Sequence, residues 1–65
     1  MISLYQVVRV TKDVPEEKVT RGMVGAVVEV YEVPHRAFGV EFTDSEGRTI
    51  LLATLTEEDL EVVTN

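Results

Sequence analysis

The segment from Arg21 to Val30 constrains the fold of this chain more than any other. It reads RGMVGAVVEV, so that Gly22 and Gly25 precede a run of valines. Glycine tolerates positive φ and a close approach of two backbones, and such glycines are typical of strands that bulge and coil to close a small sheet. The segment therefore predicts the tight entry into a strongly bent strand of a small β-barrel.

Length and composition limit the domain organisation and the cellular context. The chain has 65 residues and no cysteine, which predicts one domain over residues 1–65 without disulfides, thiolate metal sites or a cysteine nucleophile. Its first residues do not have the basic start and apolar core of a signal peptide. No apolar run approaches the roughly 20 residues that span a bilayer. We therefore expect a cytoplasmic protein with no membrane segment.

The charge balance disfavours nucleic acid as a partner. The chain carries 6 basic and 12 acidic side chains and a formal charge of −6. An excess of negative charge repels phosphate backbones unless the basic groups cluster on one face.

Five short apolar segments separated by turn residues predict an all-β domain. They cover approximately residues 5–10, 25–31, 38–42, 49–55 and 60–63. In the third segment, alternation predicts that Phe38, Val40 and Phe42 face the core. The fourth segment is too uniformly apolar for alternation to identify its buried face.

The connections between these segments indicate a specific architecture. The first loop, residues 11–18, is long for a hairpin and contains a proline. Residues 43–48 predict a hairpin turn with Gly47 in the left-handed region. Thr56 begins a predicted capped helical turn, in which its side chain accepts a backbone N–H. The whole pattern predicts a small five-stranded SH3-like barrel with one short helical turn before the last strand.

Several of these segments together resemble a known family. They are Gly-x-x-Gly followed by valines within residues 20–31, Phe-Gly-Val-Glu-Phe at 38–42, a glycine-containing turn, Thr54-Leu55 and Asp59-Leu60. In this combination the chain resembles the small bacterial family known as domain of unknown function forty-nine twenty-six. The resemblance implies an SH3-like fold in a stand-alone bacterial protein of unassigned activity, with no catalytic residues to carry over.

Two wider resemblances are confined to the strand entry. Gly22, Gly25 and Val27 are similar to the KOW motif of nucleic-acid and ribosome-associated proteins, but few basic or aromatic residues surround them. Arg21-Gly22 and Gly25 are also similar to a local motif in the barrel of nitrile hydratase beta subunits. The metal-bearing cysteines of that enzyme lie on another subunit, so this resemblance implies at most an accessory barrel.

No residue pattern predicts catalysis, a cofactor or a metal site. His35 is the only histidine, and one histidine without a second ligand or a nucleophile supports neither a metal site nor a triad. The acidic residues at 57–61 lack the spacing of a calcium loop. Glu29 and Glu41 are expected on outward strand faces. The chain is therefore predicted not to be an enzyme.

Two surface features indicate protein binding instead. The first is a basic cluster in or beside the first loop, which contains four of the six basic residues: Arg9, Lys12, Lys18 and Arg21. These residues either balance nearby carboxylates or form a docking face for a partner. The second is the high aliphatic content, which predicts that Val27, Tyr31, Ile50 or Leu52 lies on an exterior face. Exposed aliphatic surface beside an open sheet edge favours pairing with a second copy or with another protein.

The sequence thus favours a non-catalytic protein–protein interaction module that binds or regulates a partner protein of unknown identity. One form of it is an antitoxin-like or immunity-like inhibitor, whose acidic surface masks a basic site. The alternatives are a KOW-like RNA- or ribosome-associated protein and an accessory subunit of a larger enzyme.

Overall fold

The chain folds into one antiparallel sheet. The computed structural model describes residues 2–64; Met1 and Asn65, the two ends of the predicted domain, lie outside the described residues. The strands are β1 Val7–Val10, β2 Val24–Tyr31, β3 Ala37–Thr43, β4 Thr49–Leu55 and β5 Leu60–Val62, with the 3-10 turns η1 Pro15–Glu17 and η2 Glu57–Asp59. Their order in the sheet is β4-β3-β2-β1-β5. The predicted all-β class is confirmed.

The connections follow the predicted plan. A long loop separates β1 from β2, tight turns follow β2 and β3, and η2 directly precedes β5. This order is compatible with the SH3-like barrel that the sequence predicts. None of the helical turns in the described part of the chain is long or apolar enough to cross a membrane.

The two glycines of the strand entry have different geometries. Gly22 has a φ of 97°, and its N–H donates to the carbonyl of Val10 at 2.8 Å. Gly25 lies so close to β3 that a Cβ there would be 2.6 Å from the carbonyl oxygen of Glu41. The register between β2 and β3 then shifts between Val27 and Glu29, which is the bulge expected of a bent strand.

The core lies on the inner face of the bent sheet. Phe38, Val40 and Phe42 are buried as predicted. In β4 the inward residues are Ala53 and Leu55, which are buried, and Leu51, which packs against the core; the sequence alone did not identify them. The buried apolar side chains are Ile2, Val8, Val10, Val19, Val27, Phe38, Val40, Phe42, Ala53, Leu55 and Leu60.

The prediction of exterior aliphatic residues is confirmed at three positions and wrong at one. Tyr31, Ile50 and Leu52 are exposed, whereas Val27 is fully buried. Val27 is paired with the buried Val40 and precedes the bulge, so its side chain points into the core. The valine-rich run could not show this, because the bulge changes which residues face inward.

The turn between β3 and β4 is organised by Asp44. Its Oδ1 accepts the backbone N–H groups of Glu46 at 2.9 Å and of Arg48 at 3.0 Å. Gly47 has a φ of 82°, which confirms the predicted left-handed position. The N–H of Arg48, followed by that of Glu46, holds the pKa of the Asp44 carboxyl below its ordinary value.

The two 3-10 turns connect loops to the sheet. In the first loop, Val14 bridges to Val19 and closes the segment that contains η1. The capped turn predicted at Thr56 is η2, where the Asp59 carboxylate accepts the N–H of Thr56 at 3.0 Å and its hydroxyl at 2.9 Å. The first loop contacts both edges of the sheet. Glu17 accepts the N–H of Thr54 in β4, and Lys12 lies beside Asp59, which precedes β5.

Candidate protein-binding surface

One of the two edge strands of the sheet is β4. β4 pairs with β3 on one side, and this register places Thr54 opposite Gly39 and Leu52 opposite Glu41. The N–H of Thr54 donates to Oε1 of Glu17 at 2.8 Å, so it points away from β3. Because outward and inward pairs alternate along an antiparallel ladder, the N–H and C=O of Leu52 also point to the open edge.

The side chains along this edge are uncharged, and all except the two threonines are aliphatic. Thr49–Leu55 reads TILLATL. Ile50 is 62% exposed and Leu52 is 63% exposed. Long, apolar edge strands are templates for pairing with another chain, which proteins ordinarily prevent with charges, bulges or short strands.

A shallow groove of about 300 Å³ lies on the outer face beside the end of β4. It is lined by Tyr31, Val33, Pro34, His35, Ala37 and Thr54. On the same face, Gly39 leaves space for its neighbours. A Cβ at this position would lie 3.0 Å from Cβ of Glu29 and 3.7 Å from the Tyr31 hydroxyl.

Carboxylates border the apolar surface. Glu17 reaches Thr54 at the edge, and Glu29 lies beside Gly39 on the outer face. Glu41 accepts a hydrogen bond from the hydroxyl of Thr49 at 2.8 Å. Among residues 2–64, no basic side chain forms an ion pair with these three glutamates. The surface is thus apolar with a negative border.

His35 lies at the margin of this groove and is exposed. In the part of the chain that the structure describes, no group of three or more His, Cys, Asp or Glu side chains converges to hold a metal ion. The groove offers a partner apolar contact with Tyr31 and Val33.

The predicted basic cluster is divided among different partners. Arg9 forms an ion pair with its cross-strand neighbour Glu61 at 2.7 Å, and Lys12 lies 3.6 Å from Asp59. The structure thus brings Arg9 and Lys12 to one acidic segment at the start of β5. Lys18 ends η1 in the left-handed region. The backbone N–H of Arg21 donates to Asp13 at 2.8 Å, and neither Lys18 nor Arg21 has an ion pair within residues 2–64.

Sequence reasoning missed Glu17, the residue that covers the end of the β4 edge. In the sequence, Glu17 is one of several carboxylates near the basic cluster, and no signal distinguishes it from the others. Its partner Thr54 is 37 positions away in the chain, and no periodicity or motif indicates such a contact. The β4 edge itself was anticipated only as unassigned aliphatic surface.

The fold and this surface define a small antiparallel β-module with an apolar, open edge strand. Comparison with known proteins identifies its family. The chain belongs to the family described as Domain of unknown function (DUF4926), whose model matches residues 4–62. Neither the curated proteins nor the solved structures include a significant match to the chain.

Proposed function

We propose that this protein is a non-catalytic interaction module that binds or regulates a partner protein, with a cytoplasmic location in a bacterium. The observation that carries the proposal is the open β4 edge, where Ile50 and Leu52 are more exposed than buried. Complete burial of an aliphatic side chain of this size is worth about 1.5–3 kcal/mol. A partner that covers both residues gains a substantial fraction of the free energy that a specific complex requires.

The opposite edge of the sheet supports the assignment by contrast. β5 has only 3 residues, and its exposed Glu61 is paired with Arg9. Short strands and charged side chains are the usual protection against unwanted pairing. β4 has 7 residues and no charged side chain of its own, although its register against β3 shifts once, between Phe42 and Thr43. The difference favours β4 as the surface that has a partner.

Affinity capture from the lysate of the native host tests the proposal. The tagged protein is compared with Leu52→Lys and with the control Val7→Lys, which adds the same charge at a 46% exposed strand valine on β1. We expect one stoichiometric protein with the wild type and with Val7→Lys, and its loss with Leu52→Lys. RNA or ribosomes retained in its place would overturn the proposal in favour of the KOW-like alternative.

The basic cluster stays a predicted docking face, and it has its own test. Charge reversal at Arg9 or Lys12 would break an ion pair, so the cleaner change is Lys18→Glu with Arg21→Glu. Capture of the same partner by this folded variant, in the same amount, would exclude Lys18 and Arg21 from the interface. The antitoxin-like or immunity-like form and the accessory-subunit form likewise stay predictions.

A further inference from the structure

We propose that the β4 edge receives an extended segment of a partner protein as an added strand, with a basic side chain of that segment paired to Glu17. This inference rests on the proposed function and specifies the partner's chemistry. It combines three features of one edge: unpaired backbone groups, an apolar surface and a fixed carboxylate.

The first feature is the backbone of β4. The N–H and C=O of Leu52 point to the open edge, because the outward N–H of Thr54 fixes the alternation of the ladder. An extended segment beside β4 would form a hydrogen-bonded pair with Leu52. Such strand addition takes affinity from main-chain hydrogen bonds and specificity from alternate side chains.

The side chains supply the second feature. On an added strand, every second side chain would lie on the outer face of the sheet, next to Leu52. Leu52 is 63% exposed and makes this area apolar. The segment is therefore expected to carry aliphatic or aromatic residues at alternate positions.

Glu17 supplies the third feature. Its Oε1 already accepts the N–H of Thr54. This N–H is therefore not free to pair with an added strand. The Oε2 of Glu17 has no hydrogen bond or ion pair within residues 2–64. A lysine or arginine that passes this carboxylate would pair with it without displacing the existing bond. Glu29 adds negative charge on the same face.

The same features disfavour a second copy of this chain as the occupant. In a two-fold pair of β4 strands centred on Leu52, Thr54 of each copy would face Ile50 of the other, and both Glu17 side chains would have to leave. The strand brings no cation to replace the lost bond, and the preceding Arg48 is already held by Asp44 at 2.9 Å. Two copies with a charge of −6 each also repel one another.

The test uses the full chain and peptides selected from a random twelve-residue phage library. We expect selected peptides to alternate apolar residues and to contain lysine or arginine. With the synthetic peptide bound, amide shifts should concentrate on β4, and hydrogen exchange at Leu52 should slow by about tenfold or more. Glu17→Gln should weaken binding about 2- to 5-fold at low salt, whereas the matched control Glu16→Gln in the same turn should not.

Each negative result of these experiments contradicts a different part of the proposal. Equal effects of Glu17→Gln and Glu16→Gln would overturn the role of the basic side chain. Shifts confined to residues 9–21 would overturn strand addition and leave the interaction module intact. A concentration-dependent dimer that Leu52→Lys abolishes would make a second copy the occupant. No selected peptide and no partner captured from lysate would together reject the proposed function as well.

Discussion

At the scale of single residues, the two glycines at the entry of β2 show how one short motif meets two separate requirements. Gly22 is needed for its backbone angle, because its φ of 97° is a conformation that side chains oppose. Gly25 is needed for space, because β3 passes directly over it. The first lets the chain leave the long loop, and the second lets β2 pack closely enough to bend.

Gly25→Ala should therefore lower the free energy of unfolding by about 3 kcal/mol, since the added methyl group meets backbone at 2.6 Å. Gly22→Ala is the control, because nothing lies within 4 Å of a Cβ at that position. It should lose only about 1 kcal/mol from the unfavourable backbone angle. Urea unfolding of both variants measures the difference, and a fully stable Gly25→Ala protein would refute the close approach.

Asp44 gives a prediction for pH dependence. Its folded-state pKa lies below the ordinary value of an aspartate because it accepts the N–H groups of Arg48 and Glu46. Its contribution to stability is therefore present above the unfolded pKa and is lost as the pH falls through the lower folded value. The stability difference between wild type and Asp44→Asn should be largest at neutral pH and should shrink below about pH 3.8.

Thermal unfolding from pH 7 to pH 2 provides this measurement. Ser45→Ala in the same turn is the control, because it removes no titrating group and should follow the pH profile of the wild type. A stability difference for Asp44→Asn that stays constant over the whole range would show that the carboxylate is not responsible.

Among the structural elements, η2 is the turn that connects β4 to β5. Asp59 satisfies the N–H and hydroxyl of Thr56 and lies 3.6 Å from Lys12 of the first loop. The backbone carbonyl of the same residue accepts the N–H of Thr11 at 2.8 Å. Asp59 thus connects the turn to the distant first loop, through its carboxylate at Lys12 and its backbone carbonyl at Thr11.

Asp59→Ala should cost about 1–2 kcal/mol of stability, because the polar groups of Thr56 lose their acceptor. The neighbouring Glu58→Ala should stay within about 0.5 kcal/mol of wild type, since the Glu58 side chain is exposed. Chemical denaturation compares the two variants directly. Equal stability of both would mean that the cap contributes nothing measurable.

The elements also show which information the sequence contains. The alternation of Phe38, Val40 and Phe42 predicts the inner face of β3, and Gly47 predicts the hairpin turn, because both signals are local. β4 has no alternation, so its inner residues are fixed only by the pairing with β3. Val27 was misjudged for the same reason, since its direction depends on a bulge that forms against a neighbouring strand.

At the scale of the whole molecule, the sheet has two edges of different character. One ends in a short strand with a charged pair, and the other in a longer apolar strand with a single carboxylate, Glu17, across its end. Strand order decides this asymmetry, and strand order follows from contacts between residues far apart in the chain. Sequence patterns therefore predicted exposed aliphatic residues but not the edge on which they lie.

Amide hydrogen exchange at Leu52 distinguishes a binding edge at β4 from an interface elsewhere on the molecule. In the free protein, we expect the outward N–H of Leu52 to exchange faster than the N–H of Ala53, which faces β3. When the captured partner is bound, exchange at Leu52 should become slow. Unchanged exchange at Leu52, with new protection around residues 9–21, would contradict a binding edge at β4 and move the interface to the basic cluster.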